Sequence, residues 1–218
     1  MKLESKKVEE IYAGKVAKRY DFSMPPFFLK WKKKAINSSS LKKGDSVLVF
    51  CCGNGLDFLF ILDKIGDAGK IVGVDFSDEM LSKAKNKIEI EKWENIELIK
   101  ADVTKFESSS KEKFDVGICT LGLSIIPEFE SAYNNLYSNI KNEGEIIIGD
   151  MQLASGWLSV FNPFTIKLSK KFGGTQEGHK NSLVLQDKMK KDLINLIKKE
   201  FFLGAYYYCI GKKQSINK

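Results

Sequence analysis

Two glycines and one aspartate are the residues of this sequence whose spacing best suits the binding of a nucleoside. Gly53 and Gly55 end the run VLVFCCGNG (Val47–Gly55), in which a short apolar stretch leads into a glycine turn. Glycines allow the backbone to pass close under a ligand, and the N-terminus of a following helix presents free amide groups. Asp75 comes 20 residues after Gly55 (75 − 55), a spacing at which a carboxylate accepts hydrogen bonds from ribose hydroxyls. The pattern predicts a site for a ligand that contains a ribose.

The residues that follow the turn indicate which nucleoside is bound. A dinucleotide site usually has a third glycine, and that position is Phe58 here, so a pyrophosphate would fit poorly. A nicotinamide-dependent oxidoreductase is therefore a disfavoured alternative. Asp102 ends a later apolar run, where it would reach an adenine amino group. Its alternative role is that of a helix cap or turn residue, because the sequence Asp-Val-Thr can open a turn.

The elements that must position these residues alternate between short apolar runs and amphipathic segments. Such alternation predicts βαβ units and a mostly parallel sheet with helices on both faces, which is an α/β fold. The predicted strands are Ser46–Phe50, Lys70–Phe76, Ile96–Asp102, Phe114–Thr120 and Gly144–Asp150, and the predicted helices between them are Leu56–Ile65, Asp78–Trp93 and Glu130–Ile140.

Accessory segments are expected on either side of this alternating region. Helices are predicted over 4–20 and Phe27–Ile36, before the first strand. After the fifth strand, an irregular apolar stretch leads to a helix over Leu183–Lys199 and to two strands within Phe201–Lys212 that meet near Gly204. The expected segments are a helical lid (1–40), a ligand-binding core (41–151), a substrate cap inserted after the fifth strand (152–182), and a helix and strands that complete the sheet (183–218).

The same runs resemble, in order, the motif series of the class I S-adenosylmethionine-dependent methyltransferases. The resemblance covers nearly all of residues 45–150 and rests on VLVFCCGNG, GVDFSDEML, KADV, FDVGIC and NEGEIIIGD. It implies a Rossmann-like fold, S-adenosylmethionine as cofactor and methyl transfer as the activity. The turn backbone would hold the methionine end, Asp75 the ribose, and Met80 and Asp102 the adenine. The full set of implied cofactor-binding residues is Tyr20, Cys51, Cys52, Gly53, Asn54, Gly55, Asp75, Phe76, Met80, Asp102, Val103 and Cys119.

Two positions depart from that motif series. Val49 stands where members of the class carry an acid, and Cys51 stands where they carry the first glycine. Loss of the acid removes one anchor for the cofactor's ammonium group, and Cys51 requires a backbone conformation that a side chain tolerates. A module that binds S-adenosylmethionine or S-adenosylhomocysteine with little catalysis is therefore an alternative function.

The N-terminal run IYAGKVAKRYDFSM (Ile11–Met24) resembles the opening of the ubiquinone/menaquinone C-methyltransferase family and of related phospholipid N-methyltransferases. In those proteins a Tyr-Asp pair at the end of the first helix closes over the cofactor, and Tyr20 and Asp21 match it. The alternative is an ordinary helix end with an aromatic side chain packed on the core. The resemblance implies a small-molecule or lipid-like acceptor, such as a quinone precursor, a phospholipid headgroup or a small aromatic or amine.

Residues of the cap bear on the acceptor as well. Trp157, Phe161 and Phe164 would lie above the sheet edge where α/β folds bind ligands, or would form the cap's own core. His179 is the only histidine and a weak candidate for a catalytic base; a surface position in a flexible loop is the preferred interpretation. A nucleic-acid methyltransferase is disfavoured, since CTLGLS (Cys119–Ser124) stands where the motif for methylation of base amino groups would follow the fourth strand.

Charge and cysteine content limit the partners. The net charge is +7, and the four lysines beside Phe27, Phe28 and Trp31 predict either a segment that lies on an anionic membrane or a solvated lysine face over a buried aromatic stripe. Cys51, Cys52, Cys119 and Cys209 form no CxxC pair, so buried free thiols are expected and a metal site is not. The four lysines are Lys30, Lys32, Lys33 and Lys34.

The expected location is cytoplasmic. The chain begins with lysines and glutamates where a signal peptide would need an apolar stretch, and no run approaches the ~18 apolar residues of a membrane span. The oligomeric state is left open.

Overall fold

The fold was analysed in a computed structural model, which describes residue 10, residues 26–108 and residues 112–215. Apart from Glu10, the helix predicted over 4–20 lies outside the described residues, and so does Tyr20. The strands are β1 (Ser46–Phe50), β2 (Lys70–Asp75), β3 (Ile96–Lys100), β4 (Phe114–Thr120), β5 (Ile140–Met151), β6 (Leu193–Phe201) and β7 (Tyr206–Lys213). The α-helices are α1 (Pro26–Asn37), α2 (Phe58–Ile65), α3 (Asp78–Glu91), α4 (Phe129–Asn139), α5 (Asn162–Ser169) and α6 (Gln176–Asp192).

One sheet of seven strands runs through the described part of the chain, in the order β3-β2-β1-β4-β5-β7-β6. Strands β1 to β5 pair in parallel, whereas β7 is antiparallel to both β5 and β6. The strand order reverses between β1 and β4, and α/β sheets bind ligands outside the carboxyl ends of the strands at such a point. The predicted α/β fold with a mostly parallel sheet is confirmed.

Helices cover both faces of the sheet because successive residues of β1 point to opposite sides. Leu48 and Phe50 belong to one apolar cluster, which includes Leu136 of α4 and Met189 of α6. Val47 and Val49 belong to the other, which includes residues of α1, α2 and α3. Burial on both faces explains why the parallel strands read as continuous apolar runs.

The C-terminal prediction was wrong in one element. The helix predicted over Leu183–Lys199 is α6, which begins earlier, at Gln176, and ends at Asp192, and Leu193–Phe201 forms the edge strand β6. Pairing with β7 overrides the helical propensity of its leucines and lysines. The turn near Gly204 was predicted correctly, because Gly204 has a φ of +80° between β6 and β7. The fifth strand also begins earlier than expected, at Ile140 rather than Gly144.

Helix α1 packs on the β6–β7 hairpin through its aromatic side chains. The Trp31 ring stacks on Tyr206 at a centroid distance of 5.0 Å, and Phe27 stacks on Phe202 at 5.4 Å. Phe28 is buried in the same cluster. These aromatics therefore hold α1 against the sheet edge that follows β5.

The basic stripe predicted on α1 is divided by this packing. Lys30, Lys33 and Lys34 are exposed, but Lys32 is only 5 % exposed. It lies four residues after Phe28 and four before Ile36, which are both buried, so it belongs to the inward stripe of the helix. The prediction of four solvated lysines was wrong for Lys32. No helix among the described residues is long and apolar enough to cross a bilayer.

Candidate functional site

The turn after β1 adopts a conformation that suits glycine at alternate positions. Cys51, Gly53 and Gly55 have φ angles of +51°, +54° and +74°. At Gly55 an added Cβ would lie 2.6 Å from the Phe58 ring, so a side chain is excluded by contact as well as by strain. The turn can therefore lie directly on the N-terminal end of α2.

Asp75 joins this turn to the end of β2. Asp75 is 6 % exposed, and its carboxylate accepts backbone hydrogen bonds from Gly53 N–H to Oδ2 at 2.8 Å, from Ser77 N–H to Oδ1 at 3.0 Å and from Phe76 N–H. Burial raises the pKa of Asp75, and the backbone donors oppose that shift. A carboxylate has about four lone-pair sites, so Asp75 can accept a further hydrogen bond, and its side chain lies in the wall of a cavity.

That cavity lies at the carboxyl ends of β1, β2 and β4 and has a volume of about 320 Å³. This volume is within the usual range of small-molecule sites, roughly 300–1,000 Å³. The structure brings most of the predicted site residues together in its wall. They are Cys51, Cys52, Gly53, Asn54, Asp75, Phe76, Met80, Asp102 and Val103.

Two further predicted residues lie behind the wall. Gly55 is buried beneath the turn, and Cys119 is 1 % exposed under Gly122, whose added Cβ would lie 3.0 Å from the Cys119 sulfur. A hydrogen bond with the Cys119 side chain, together with burial, raises the pKa of the Cys51 thiol well above its ordinary value. Cys51 is therefore protonated at neutral pH. All four cysteines are free thiols.

Asp102 lies in the cavity wall and also forms the turn considered as its alternative role. Its side chain lies in the cavity wall, and Oδ1 accepts hydrogen bonds from the N–H and the hydroxyl of Thr104, at 2.9 and 2.7 Å. It therefore stabilises a turn after β3. The residue is exposed, so its second carboxylate oxygen is available to a ligand.

Lys32, a residue of the wall, belongs to a buried ion pair that sequence reasoning missed. Lys32 of α1 donates to Asp57 Oδ2 at 2.9 Å and to the hydroxyl of Thr120 at the end of β4. Thr120 in turn donates to Asp57 Oδ2 at 2.5 Å. Asp57 precedes α2 but makes no capping hydrogen bond with its side chain, because that side chain points to Lys32. The position of Lys32 on the buried stripe of α1 is the signal that could have revealed it.

His179 does not lie where the sequence placed it. It belongs to α6 and is 0 % exposed, so the expected surface position in a flexible loop was wrong. Its Nε2 lies 2.7 Å from the Ser169 hydroxyl, which ties α6 to α5. Burial lowers the pKa of His179. The ring faces a small cavity of about 40 Å³ rather than the cavity of about 320 Å³ that Asp75 lines.

A glycine turn after β1, a buried carboxylate after β2 and a sheet with an antiparallel β7 together define the class I S-adenosylmethionine-dependent methyltransferases. Residues 41–201 match the family described as a methyltransferase domain. Because the match covers more than half of the chain, the chain belongs to this family, whose cofactor is S-adenosylmethionine.

Individual relatives are similar at modest identity. A demethylmenaquinone methyltransferase of Listeria welshimeri is 27% identical over 147 residues, which are 66% of this chain and 62% of that protein. The chain thus spans less than two thirds of the length of this curated relative. A demethylmenaquinone methyltransferase of Lactobacillus johnsonii is 25% identical over 204 residues, or 85% of this chain and 83% of the relative.

Solved structures show the same fold. A SAM-dependent methyltransferase from Aquifex aeolicus superposes with a TM-score of 0.69 at 15% identity, covering 92% of this chain and 99% of that one. An rRNA methylase from Streptococcus thermophilus gives a TM-score of 0.59 at 14% identity, with 85% and 95% covered. At these identities the likeness concerns the fold alone.

Proposed function

We propose that this chain transfers a methyl group from S-adenosylmethionine to a small-molecule or lipid-like acceptor. The observation that carries the proposal is the cavity at the point where the strand order reverses, between β1 and β4, with Asp75 buried in its wall. The buried carboxylate retains acceptor capacity beyond its backbone donors, which suits the hydroxyls of a ribose. The acceptor groups of the wall thus suit the ribose of the cofactor that the family uses.

Each part of the cofactor is assigned to wall residues by strand order. Asp75 after β2 would hold the ribose, and Met80 and Asp102 would contact the adenine. The turn backbone after β1 would hold the methionine end. When bound, the cofactor supplies an electrophilic methyl group on its sulfonium and leaves as S-adenosylhomocysteine. The protein's own contribution is alignment and exclusion of water, which can account for most of the acceleration of such a displacement.

The acceptor is assigned to a second cavity of about 480 Å³. It shares Ile125, Ile126 and Pro127 with the first cavity, so an acceptor there would reach the methyl group across these side chains. Among the described residues of its lining, the charged ones are Lys170 and Glu177, whose charges balance. A polyanionic nucleic acid would require an excess of positive charge, whereas a neutral small molecule would not.

A lipid-like acceptor is supported by an apolar surface between β5 and α6, formed by residues 156–164. Trp157 is 79 % exposed, Phe164 is 58 % exposed, and Val160 is also exposed. Residues 153–175 contain three lysines and no Asp or Glu. Exposed aromatics beside lysines are typical of a segment that lies on an anionic bilayer. We propose that residues 156–164 contact such a surface, in place of the divided lysine stripe of α1.

Turnover with labelled S-adenosylmethionine tests the function. The candidate acceptors are a demethylated quinone in vesicles, small phenols and amines, and total RNA. Labelling of the quinone or of one of the small molecules is expected. Asn181→Trp would fill the second cavity alone, so it should raise KM for the acceptor and leave the affinity for S-adenosylhomocysteine unchanged. Labelling confined to RNA, or no labelling with any arm, would refute the proposal.

Vesicle sedimentation tests whether residues 156–164 contact an anionic bilayer. Binding to anionic vesicles, weakened by salt, is expected for the wild type and reduced in a Trp157→Ser/Phe164→Ser variant. Ile90→Ser is the matched control, because Ile90 is an exposed apolar residue elsewhere, on α3. If the wild type and both variants sediment equally, residues 156–164 do not contact the bilayer, and any vesicle binding is due to charge alone.

A further inference from the structure

Within residues 26–108 and 112–215, Lys32 has one ammonium donor for which no acceptor is found. An ammonium group has three N–H donors, and Lys32 directs two of them to Asp57 and to the Thr120 hydroxyl. The side chain is only 5 % exposed, so bulk water does not surround the third. A buried donor without an acceptor is costly.

The ion pair is poorly suited to a purely structural role. Oδ1 of Asp57 is buried and has no hydrogen-bond partner among the described residues. A buried pair repays its desolvation only when the remaining donors and acceptors are satisfied. Apolar residues of similar size would pack α1 on α2 at least as well, which points to a role beyond packing.

Lys32 lies in the wall of the cofactor cavity and supplies its positive charge. Among the described residues of that wall, Lys32 is the one lysine or arginine, and the acids are Asp75, Asp102 and Glu128. Any anionic group of a ligand in this cavity would therefore be drawn to Lys32.

The position of Lys32 along the sheet indicates which group that is. The partners of Lys32 are Thr120, at the end of β4, and Asp57, directly after the glycine turn that follows β1. Asp75 and Asp102 lie at β2 and β3, on the other side of β1 in the strand order. If the ribose and the adenine are bound on the β2 and β3 side of β1, the methionine end of the cofactor would lie toward β4 and Lys32.

We propose that Lys32 binds the α-carboxylate of the methionine end of the cofactor through its third N–H. The inference rests on the proposed function, because it takes S-adenosylmethionine as the ligand of the cavity. It makes α1 part of the cofactor site and gives the buried ion pair a role: Asp57 and Thr120 position the ammonium group. A charge-assisted hydrogen bond of this kind would discriminate the cofactor from nucleosides that lack a carboxylate.

Calorimetric titration of two ligands tests this assignment. S-adenosylhomocysteine carries the carboxylate, and 5′-methylthioadenosine has the same nucleoside without it. Lys32→Gln should weaken S-adenosylhomocysteine binding at least tenfold and change methylthioadenosine binding less than threefold. Lys30→Gln, at an exposed position of the same helix, should change neither. An equal loss for both ligands, or no loss, would overturn the assignment.

Two further measurements guard against misfolding, since Lys32→Gln leaves the Asp57 charge buried and unpaired. Lys32→Met/Asp57→Asn removes both charges and should, like Lys32→Gln, weaken S-adenosylhomocysteine binding much more than methylthioadenosine binding. In the wild type, decarboxylated S-adenosylhomocysteine should bind at least tenfold more weakly than the parent compound. Wild-type affinity that is equal for these two ligands would overturn the role of Lys32 while leaving the proposed function intact. If the wild type binds none of these ligands, the proposed function itself fails.

Discussion

Replacement of Asp75 is the sharpest test of the cofactor site, because its carboxylate serves both the fold and the ligand. Asp75→Asn keeps one acceptor oxygen and turns the other into a donor, which opposes the N–H of either Gly53 or Ser77. The same change removes one charged acceptor from the ribose. A hydrogen bond to a charged group contributes about 1.5–3 kcal/mol, so binding should weaken by roughly 10- to 150-fold.

Asp75→Ala removes both acceptor oxygens and should weaken binding by at least about 100-fold on the same reasoning. The assay is calorimetric titration with S-adenosylhomocysteine, after thermal unfolding has shown that each variant is folded. Asp78→Asn is the control, since Asp78 opens α3 three residues later in the sequence and lies outside the cavity wall. If Asp75→Asn binds as tightly as the wild type, the assignment of the ribose to this carboxylate is wrong.

Three further predictions follow from burial and backbone geometry. Because burial raises the pKa of Asp75, affinity for S-adenosylhomocysteine should be constant above that raised pKa and fall, by up to tenfold per pH unit, as the pH drops below it; titrations across pH measure this. Burial lowers the pKa of His179, so its contribution to the free energy of unfolding should be fully present above the ordinary histidine pKa of about 6.5. Below that pH the free energy of unfolding should fall by at most ~1.4 kcal/mol per pH unit. Urea unfolding should show this slope in the wild type and not in His179→Gln. Gly55→Ala should cost about 1–3 kcal/mol more than Gly44→Ala in urea unfolding, because both have positive φ but only the first would meet another side chain, that of Phe58.

Most of the core and of the cofactor wall could be predicted from local sequence. A parallel strand buried on both faces must be a continuous apolar run, so β1, β2 and β4 were identifiable within a residue or two. The residues that follow such strands gather at one edge, which placed Asp75 and Asp102 in one cavity. Local pattern sufficed here because the chemistry is attached directly to strand ends.

What could not be predicted depends on partners remote in sequence. The residues of β6 have the composition of an amphipathic helix, and only pairing with β7 makes them a strand. Lys32 stands in a run of three lysines, and its buried position depends on Asp57, which is 25 residues away. His179 is buried because α6 packs on the preceding helix, where the Ser169 hydroxyl lies 2.7 Å from its Nε2; the Thr175 cap that begins α6 is a local signal that was overlooked.

The departure at Cys51 illustrates how the wall accommodates a change that sequence alone could not interpret. Cys51 adopts a φ of +51°, so the conformation expected of a glycine is retained at a cost of about 1–2 kcal/mol. The space for its side chain comes from Gly122, after β4, where an added Cβ would lie 2.6 Å from Cys51 Cβ. The φ of Gly122 is −130°, which any residue can adopt, so contact rather than backbone strain excludes a side chain there. The absence of a side chain at Gly122 therefore leaves room for the side chain of Cys51. Because Cys51 keeps a positive φ and Gly53 still donates to Asp75, Cys51 is not by itself a reason to assign the chain to a binding module without catalysis.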